Sequence, residues 1–364
     1  MRKSCRVAIG GQVFIAARGD VLLDAALMNG VDIPHDCRAG HCGTCRVRVV
    51  DGLAIGGECG EPGAVRACQC RILSDVRLEI EAVPEVATTT GRVTKIQERG
   101  PDVVEVCIEP AQPFVYLPGQ YVRAQFRGYP ARCYSPTVSM DNFNAREFLH
   151  LQVQRIRGGR VSAAIGRGIR VGHRVRIEGP LGTAFLRPAS RRRLVLVSSG
   201  TGFAPIWSIA VAAIREYRHR RITLVVGART IESLYMINAL CRLARHPNVT
   251  IIPVVEARQK LSPVVRTGNI IDHMPQLSAD DTVHACGSPR LVRAVAAIAA
   301  EAGVPCYSDP FIPQDGGTLF RALDWINLDW INSVTRTPPI AEKAGRPRSP
   351  PRLAAVSPFP EHAM

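Results

Sequence analysis

Three cysteines near the N-terminus, Cys37, Cys42 and Cys45, follow the spacing C-x4-C-x2-C, and this spacing constrains the chain more than any other feature. The glycines between them, Gly40 and Gly43, let a backbone wrap closely around a central group. Thiolates that converge from one tight loop at this spacing are typical of a [2Fe–2S] cluster. Zinc and plain structural thiols are the alternatives, although a zinc site normally adds a matching second cysteine pair.

Four thiolates are needed, and Cys59, Cys68 and Cys70 are the candidates for the fourth. The chain has twelve cysteines in 364 residues, and seven of them fall in the first 70. We find no secretory signal, so we expect a cytoplasmic protein in which cysteines bind metal rather than form disulfides. The longest apolar helical stretch, 204–214, is too short to span a bilayer, so no membrane association is expected.

The N-terminal segment predicts a small α+β domain. Alternating residues at 5–9 and 12–16 flank Gly10-Gly11 and indicate a hairpin. Asp20 is predicted to cap a helix that runs through Asn29, with Gly30 at the position after its end. A strand, 46–50, follows the cysteine loop, and the domain covers 1–83.

The next segment predicts an antiparallel β-barrel over 88–188. Residues Val83 to Thr90, with Pro84 and a threonine run, are interpreted as a linker. Glycine and proline then separate short strand-like stretches. These predicted strands are Val103 to Ile108, Tyr121 to Phe126, Phe148 to Gln154 and Arg174 to Glu178.

Alternating strands and helices from Leu194 predict a doubly wound parallel sheet over 191–313. The predicted helices are Ala204 to Tyr217, Ile231 to Arg245 and Pro289 to Ala302. Beyond Pro313 the chain is rich in Pro, Arg and Ser, and we predict that 314–364 is a disordered tail.

Two glycine-rich segments are candidates for binding phosphate groups. Gly158-Gly159 is predicted to open a short helix that includes Ser162, about 20 residues after Arg132-Cys133-Tyr134-Ser135. Backbone N–H groups at such a helix start suit a pyrophosphate. The alternative is a structural tyrosine and an ordinary glycine turn.

The second candidate, Gly200 to Pro205, follows a buried strand and opens a helix, which places free N–H groups and the positive helix end together. Cys286-Gly287 ends a later strand at the crevice where doubly wound sheets bind dinucleotides. Arg229, after another strand, suits a ribose or its phosphate. A plain strand-to-helix turn and a solvated loop arginine are the alternatives.

The net charge of +15 lies in the middle of the chain, since residues 86–312 hold 30 basic and 15 acidic residues. This distribution favours an anionic cofactor or an acidic partner. No nucleic-acid-binding motif is present, so nucleic acid is not expected as a partner.

The order of these motifs resembles the ferredoxin–NADP reductase family with a fused plant-type ferredoxin domain. It is most similar to reductase components of aromatic-ring-hydroxylating dioxygenases of the naphthalene dioxygenase type. Gly179 to Ala184 and Ser308 to Phe311 support this subgroup. The resemblance implies a β-grasp ferredoxin domain, a flavin-binding barrel and a nicotinamide-binding domain, in that order.

The resemblance also implies roles for single residues. The ligands of the [2Fe–2S] cluster would be Cys37, Cys42, Cys45 and Cys68. The catalytic residues would be Tyr134, Ser135 and Cys286. FAD would contact Arg132, Tyr134, Ser135, Gly159, Val161, Ser162 and Phe311. The nicotinamide cofactor would contact Gly200, Thr201, Gly202, Ala204, Pro205, Arg229, Cys286 and Gly287.

The implied activity is an electron relay from NADH, with NADPH also possible, through FAD and the cluster to a ferredoxin that serves a terminal oxygenase. Direct reduction of an oxygenase or of a deoxysugar dehydratase is one alternative, and a redox-sensing interaction protein is another. Nothing in the sequence indicates an oligomeric state.

Overall fold

The computed structural model describes residues 3–35, 38–40, 43–59, 63–81, 83–140, 148–187, 190–256 and 264–312. These described residues belong to one compact unit, Met1–Pro313, and they form three β-sheets that follow one another along the chain. The predicted tail, 314–364, lies outside the described residues.

The first sheet has five strands in the order β2-β1-β5-β3-β4, and β1 and β5 are parallel. The strands are β1 (Ser4–Ile9), β2 (Gln12–Ala17), β3 (Arg46–Ile55), β4 (Ala64–Arg66) and β5 (Arg71–Ile80). Helix α1 (Leu22–Met28) covers one face and buries Leu22 and Leu23 completely. This arrangement is the predicted β-grasp, and the predicted hairpin is confirmed.

The end of α1 is as predicted, and its start is not. Gly30 has φ +72°, and the N–H of Val31 donates to the carbonyl of Ala26 (2.9 Å), which is a glycine-terminated helix end. Asp20 does not cap the helix, because its carboxylate accepts the N–H of Ala17 (2.9 Å). The first N–H groups of α1 are instead satisfied by backbone carbonyls from residues 67 and 70.

The second sheet has seven strands in the order β10-β11-β7-β6-β12-β8-β9, and all its pairings are antiparallel. The strands are β6 (Ala87–Glu98), β7 (Val103–Pro110), β8 (Tyr121–Phe126), β9 (Arg132–Tyr134), β10 (Pro136–Thr137), β11 (Leu149–Gln154) and β12 (Arg174–Leu181). Its two edge strands, β9 and β10, are separated by Ser135 alone, so the sheet nearly closes into the predicted barrel.

Two predictions for this region are wrong. The linker overlaps β6, a long strand in the wall of the barrel, which buries only Gly91 and Val93 and so has a weak apolar pattern. The short helix predicted after Gly158 is a series of turns over 157–164. The Ser162 hydroxyl folds back across these turns and accepts the N–H of Ile156 (3.1 Å).

The third sheet is parallel, in the order β16-β15-β14-β13-β17-β18. The strands are β13 (Arg193–Ser199), β14 (Ile222–Ala228), β15 (Val249–Val255), β16 (Arg266–Thr267), β17 (Asp281–Gly287) and β18 (Cys306–Pro310). The helices are α2 (Phe203–Glu216), α3 (Ile237–Leu243) and α4 (Pro289–Glu301), with 3-10 turns at Gly200–Gly202 and Ile270–His273. Separate apolar cores on the two faces confirm the doubly wound fold.

Helix α3 is shorter than predicted, because residues 231–236 form turns. Leu234 and Met236 are buried in the core shared with the barrel. The hydroxyl of Tyr235 donates to Gln152 Oε1 of β11 (2.6 Å). These contacts with the barrel hold the segment in a non-helical path.

Next to this contact, the outer face of the barrel carries a buried polar group. The Glu105 carboxylate accepts hydrogen bonds from Arg99 (2.9 Å) and from His150 Nδ1 (3.2 Å), and Cys107 Sγ lies 3.3 Å from that ring nitrogen. Burial alone would lower the pKa of His150. The hydrogen bonds to Cys107 and Glu105 outweigh burial and raise this pKa to about 9.

The raised pKa of His150 predicts that the stability of the fold depends on pH. An unfolded histidine has a pKa of about 6.5, so the folded state binds more protons between about pH 6.5 and 9. The free energy of unfolding should therefore fall across this window, by on the order of 1–3 kcal/mol. Urea unfolding of the wild type and of His150→Gln, measured at both ends of the window, checks this. An equal pH dependence in the two proteins would contradict it.

Candidate functional site

The cysteine segments of the first sheet lie side by side. Cys45 and Cys68 are both buried, and the N–H of Ala67 donates to the carbonyl of Cys45 (2.8 Å). Cys37 and Cys42 lie outside the described residues. The described part of the chain therefore brings two of the four predicted thiolates to one end of the sheet.

The loop between the first cysteines closes over the residue that follows Cys68. A Cβ at Gly40 would lie 2.8 Å from Cγ of Gln69, so only glycine allows this approach at φ +76°. The Gln69 side-chain amide in turn donates to the carbonyl of Cys68 (3.0 Å). Gly40 of the cysteine loop and the Cys68 carbonyl thus both contact the Gln69 side chain.

The two other candidates have different surroundings. Cys70 is completely buried, and its carbonyl accepts the N–H of Leu22 at the start of α1 (2.8 Å). Burial, and then the negative charges of Glu58 and Cys59, raises the pKa of the Cys70 thiol to about 11, which disfavours a thiolate. Cys59 is half-buried and donates its N–H to Ala64 of β4 (3.0 Å). These surroundings favour Cys68.

Ser135 lies at the gap where the barrel nearly closes. Its side chain is buried, and its hydroxyl has no hydrogen-bond partner among the described residues. Tyr134 beside it is half-buried, and burial raises the pKa of its phenol well above the ordinary value. Arg132, at the start of β9, is half-buried and donates to its neighbouring carbonyl, Ala131 (2.8 Å). The unsatisfied hydroxyl of Ser135, the ring of Tyr134 and the cation of Arg132 follow one another along β9 and the residue after it. Together they fit a flavin.

The turns after β11 contain the predicted phosphate contacts. A Cβ at Gly159 would lie 2.6 Å from Ser162 Oγ, so this turn needs glycine. Val161 places its side chain in the barrel core, which leaves only its backbone for a ligand. The N–H groups of 160–162 have no acceptor within the described chain. A row of free donors of this kind fits a pyrophosphate.

The C-terminal ends of β13 and β17 approach each other very closely. A Cβ at Gly202 would lie 2.3 Å from the carbonyl oxygen of Cys286, and one at Gly287 would lie 2.7 Å from Ser199 Oγ. The chain leaves β13 toward one side of the sheet and returns through β17 on the other, so this crevice is the topological switch point. Dinucleotides bind at such crevices in open α/β sheets.

The other predicted nicotinamide contacts lie at the same edge. Gly200 and Thr201 form the turn after β13, and Ala204 and Pro205 are buried in the first turn of α2. Arg229 is exposed just after the end of β14. These positions are where the fold predicts a dinucleotide, although the residues at 204 and 205 are buried.

Titratable groups surround the crevice on the β17–β18 side. Cys286 is completely buried, and burial and the nearby Asp309 carboxylate raise its pKa. Burial raises the pKa of Asp309 to about 7. Phe311 is half-buried and donates its N–H to the carbonyl of Gly287 (2.7 Å). The site therefore holds a neutral thiol, a carboxyl group that titrates near neutrality and an aromatic ring.

The barrel and the parallel sheet share this region. A Cβ at Gly200 would lie 3.9 Å from Oε1 of Gln154, the last residue of β11. Trp207 of α2 donates its indole N–H to the carbonyl of Val138 (3.2 Å), just after β10. The turn after β13 and the start of α2 thus contact the barrel at the ends of β10 and β11.

A junction that sequence reasoning missed joins all three sheets. The hydroxyl of Thr183 donates to the carbonyl of Gly43 in the cysteine loop (2.9 Å). Arg187 donates to Glu81 at the end of the first sheet (2.6 Å) and to the carbonyls of Thr183 (2.7 Å) and Phe185 (2.6 Å). Its guanidinium carbon also lies 3.9 Å from the ring centroid of Tyr307 in β18. No motif spacing predicts contacts between residues this far apart in the sequence.

Comparison with known proteins agrees with the division into three domains. A 2Fe-2S iron-sulfur cluster binding domain matches residues 7–73, an oxidoreductase FAD-binding domain matches 93–185, and an oxidoreductase NAD-binding domain matches 196–297. The ferredoxin–NAD(P)+ reductase component of the naphthalene 1,2-dioxygenase system of Pseudomonas putida is 32% identical over 314 residues, which are 81% of this chain and 94% of that protein.

A second relative is the reductase component of the naphthalene 1,2-dioxygenase and salicylate 5-hydroxylase systems of a Ralstonia species. It is 34% identical over 319 residues, 82% of this chain and 95% of the relative. The chain belongs to this family of ferredoxin–NAD(P)+ reductases. The crystal structure of the Amycolatopsis cytochrome P450 reductase GcoB has the same fold, with a TM-score of 0.61, 28% identity and coverage of 85% and 99% of the two chains.

Membership of this reductase family establishes the cofactors as a [2Fe–2S] cluster, FAD and NADH or NADPH, and the activity as an electron relay among them. Relatives of this reductase are components that deliver electrons to ferredoxin or oxygenase partners. Within the described residues, no helix is long and apolar enough to cross a bilayer.

The fourth cluster ligand can be tested by substitution. Cys68→Ser should abolish the EPR signal of the reduced cluster, because a thiolate beneath the loop is lost. Cys70→Ser, the matched control two residues away, should retain it. Signal loss in Cys70→Ser with retention in Cys68→Ser would reverse the assignment.

Ser135→Ala removes the unsatisfied buried hydroxyl without adding volume. We expect flavin reduction by NADH to slow by about 10²-fold, the lower end of the effect that the loss of one positioned donor has on a rate. FAD content should stay unchanged. Anaerobic stopped-flow absorbance measures the rate, with Ser139→Ala, a nearby buried serine, as the control. A wild-type rate in Ser135→Ala would exclude a role for this hydroxyl.

Arg187→Met keeps the bulk of the side chain and removes the hydrogen bonds of the junction. The cysteine loop should then be held less firmly against the barrel, so cluster reduction should lag several-fold behind flavin reduction. Stopped-flow traces at cluster and flavin wavelengths separate the two steps. Arg176→Met, an exposed arginine on β12, is the control. Equal lags in Arg187→Met and wild type would contradict a role for the junction.

Proposed function

We propose that this reductase takes electrons from NADH and delivers them from its cluster to a ferredoxin that serves an aromatic-ring-hydroxylating dioxygenase. The observation that carries the proposal is the junction at Arg187 and Thr183, which holds the cysteine loop on the flavin-binding barrel. Because electron transfer slows steeply with distance, this contact supports an internal path from the barrel to the first domain. The proposed domains are 1–83, 88–188 and 191–313.

We propose that the barrel residues divide the work of holding FAD. When bound, this cofactor would accept a hydride and release single electrons. It would therefore connect a nicotinamide, which exchanges a hydride, with an iron–sulfur cluster, which exchanges one electron at a time. Arg132 would pair with a phosphate, and Tyr134 would cover one face of the ring system. Ser135 would donate its free hydroxyl to the ring nitrogen that receives the hydride. The backbone at Gly159, Val161 and Ser162 would bind the pyrophosphate.

At the crevice of the parallel sheet, the turn of Gly200, Thr201 and Gly202 would bind the pyrophosphate of the dinucleotide with its backbone N–H groups. Ala204 and Pro205 would only shape the helix start, since both are buried. Cys286 and Gly287 would border the nicotinamide, and Phe311 would cover the flavin until the nicotinamide arrives. Arg229 would contact the adenosine ribose, which is compatible with NADH or NADPH.

We propose Cys37, Cys42, Cys45 and Cys68 as the cluster ligands. Buried Cys45 and Cys68 lie on backbone segments joined by a hydrogen bond, and Gly40 closes over Gln69. Backbone N–H groups of the glycine-containing loop would then stabilise the sulfides. Thr183 would fix the loop on the barrel through its hydrogen bond to the Gly43 carbonyl.

The proposed acceptor is a small acidic ferredoxin. Two relatives with more than 30% identity are the reductases of dioxygenase systems. The excess of basic residues in 86–312 suits an acidic partner as well as anionic cofactors. A cytoplasmic location follows from the chemistry of a thiolate cluster, which a reducing compartment preserves.

Direct reduction of an oxygenase is the second candidate. It is favoured by the similarity to the Amycolatopsis protein, which is a cytochrome P450 reductase. The same relay would then deliver electrons directly from the cluster to the oxygenase, with no separate ferredoxin as a carrier.

Reconstitution separates the two candidates. The purified reductase is mixed with NADH and either an acidic Rieske-type ferredoxin, a dioxygenase or a cytochrome P450, and acceptor reduction is followed spectrally. We expect rapid reduction of the ferredoxin, with a rate that falls as salt rises. Equal or faster reduction of an oxygenase or P450 in the absence of ferredoxin would overturn the proposed acceptor.

A further inference from the structure

A second cleft, of about 530 Å³, opens at the opposite end of the parallel sheet from the dinucleotide crevice. It lies where β13, β17 and β18 begin, whereas the dinucleotide crevice lies where β13 and β17 end. Each of the three domains contributes to its wall, with Arg48 from the first, Arg187 from the barrel, and Arg192 and Arg220 from the parallel sheet. The cleft is therefore lined by four arginines.

Arg220 is buried in this cleft without a full set of partners. Only 2% of the residue is exposed, and its Nε donates to the carbonyl of Arg192 (3.0 Å). Its terminal nitrogens donate to none of the described residues. Burial lowers the pKa of Arg220 and the charge of Glu216 opposes this only in part. A buried guanidinium with free donors is costly unless an acceptor reaches it.

His284 is a second buried residue of the same wall. It is 1% exposed, and its ring interacts with the backbone carbonyl of Ala184. Its ring lies against Tyr307, with centroids 5.2 Å apart. Burial and the charges of Arg187 and Arg220 lower the pKa of His284 to about 3, although the Ala184 carbonyl opposes this. The ring is therefore neutral and adds no positive charge to the cleft.

We propose that this cleft binds the oxyanion group, carboxylate or phosphate, of a small anionic ligand between Arg220 and Arg192. Such a group supplies acceptors for the unsatisfied donors of Arg220 and offsets the positive charge that the arginines bring to the cleft. Leu186 and Tyr307 also line the cleft beside these arginines. The site lies at the other end of the parallel sheet from the dinucleotide crevice and goes beyond the proposed function.

Because all three domains contribute to the wall, a bound oxyanion would also hold the first domain on the other two. Arg48 lies on β3, three residues after Cys45, and faces the same cleft as Arg192. A ligand shared by Arg48 and Arg192 would bridge the first domain and the parallel sheet, so its binding should raise the melting temperature.

The test uses FAD- and cluster-loaded protein saturated with NAD+, which occupies the dinucleotide crevice. Thermal melting and isothermal titration are measured with inorganic phosphate and with benzoate, against chloride at equal ionic strength. We expect a saturable rise in melting temperature with phosphate, benzoate or both. The probe that binds more tightly identifies phosphate or carboxylate as the preferred group.

Adjacent arginines provide matched variants. Arg192→Gln should weaken binding about tenfold, the effect of one lost charge-assisted contact, and Arg191→Gln should not, because Arg191 lies over the Tyr217 ring outside the cleft. Arg220→Gln should abolish binding, whereas exposed Arg221→Gln should retain it. Arg192 is exposed, so its variant tests the site even if Arg220→Gln does not fold.

The contribution of the first domain is tested with Arg48→Gln against Arg77→Gln, an exposed arginine on the neighbouring strand. Arg48→Gln should reduce the rise in melting temperature on ligand addition by at least half. The proposal is overturned if phosphate and benzoate match chloride in the wild type, or if the cleft variants bind as their matched controls do.

Discussion

The guanidinium of Arg187 is the interaction on which the assembly of this reductase depends. It lies between the rings of Phe185 and Tyr307, at 3.8 Å and 3.9 Å from their centroids, and pairs with Glu81 of the first domain. One half-buried side chain thus contacts all three domains. Planar geometry and several donors make arginine the residue suited to such a position, since lysine could not stack and pair together.

Around this junction, close backbone approach sets the geometry of the site. Gly43 faces Thr183 between the cysteine loop and the barrel, and Gly202 faces Cys286 at the switch point of the parallel sheet. A side chain at either glycine would meet atoms less than 3 Å away. Ser135 adds the third constraint, because it spans the gap between the two edge strands of the barrel. The two ends of the parallel sheet are then free for different anions.

Sequence alone predicted the features that depend on local chemistry. The spacing of Cys37, Cys42 and Cys45 predicted the cluster, and the alternation after Leu194 predicted the parallel sheet, because both signals repeat over short distances. The glycine at position 30 ended α1 as expected.

The features that depend on distant partners were missed. Asp20 does not cap α1 because its carboxylate accepts the N–H of Ala17, and backbone carbonyls of residues 67 and 70 satisfy the first N–H groups of the helix instead. The helix predicted from Ile231 is shortened because Tyr235 bonds to the barrel. Strand β6 was hidden by its threonine run, and the Arg187 junction joins residues that no spacing relates. The roles of the site residues were predicted from the resemblance to a family, because no local pattern in the sequence assigns them.

The central claim is that electrons entering at the parallel sheet leave through the N-terminal domain of the same chain. An anaerobic titration of the purified protein with NADH, followed by visible absorbance and EPR, tests it most directly. The account predicts flavin bleaching together with the rhombic signal of a reduced [2Fe–2S] cluster. Flavin bleaching without an iron signal would contradict it and would leave a simple flavin reductase.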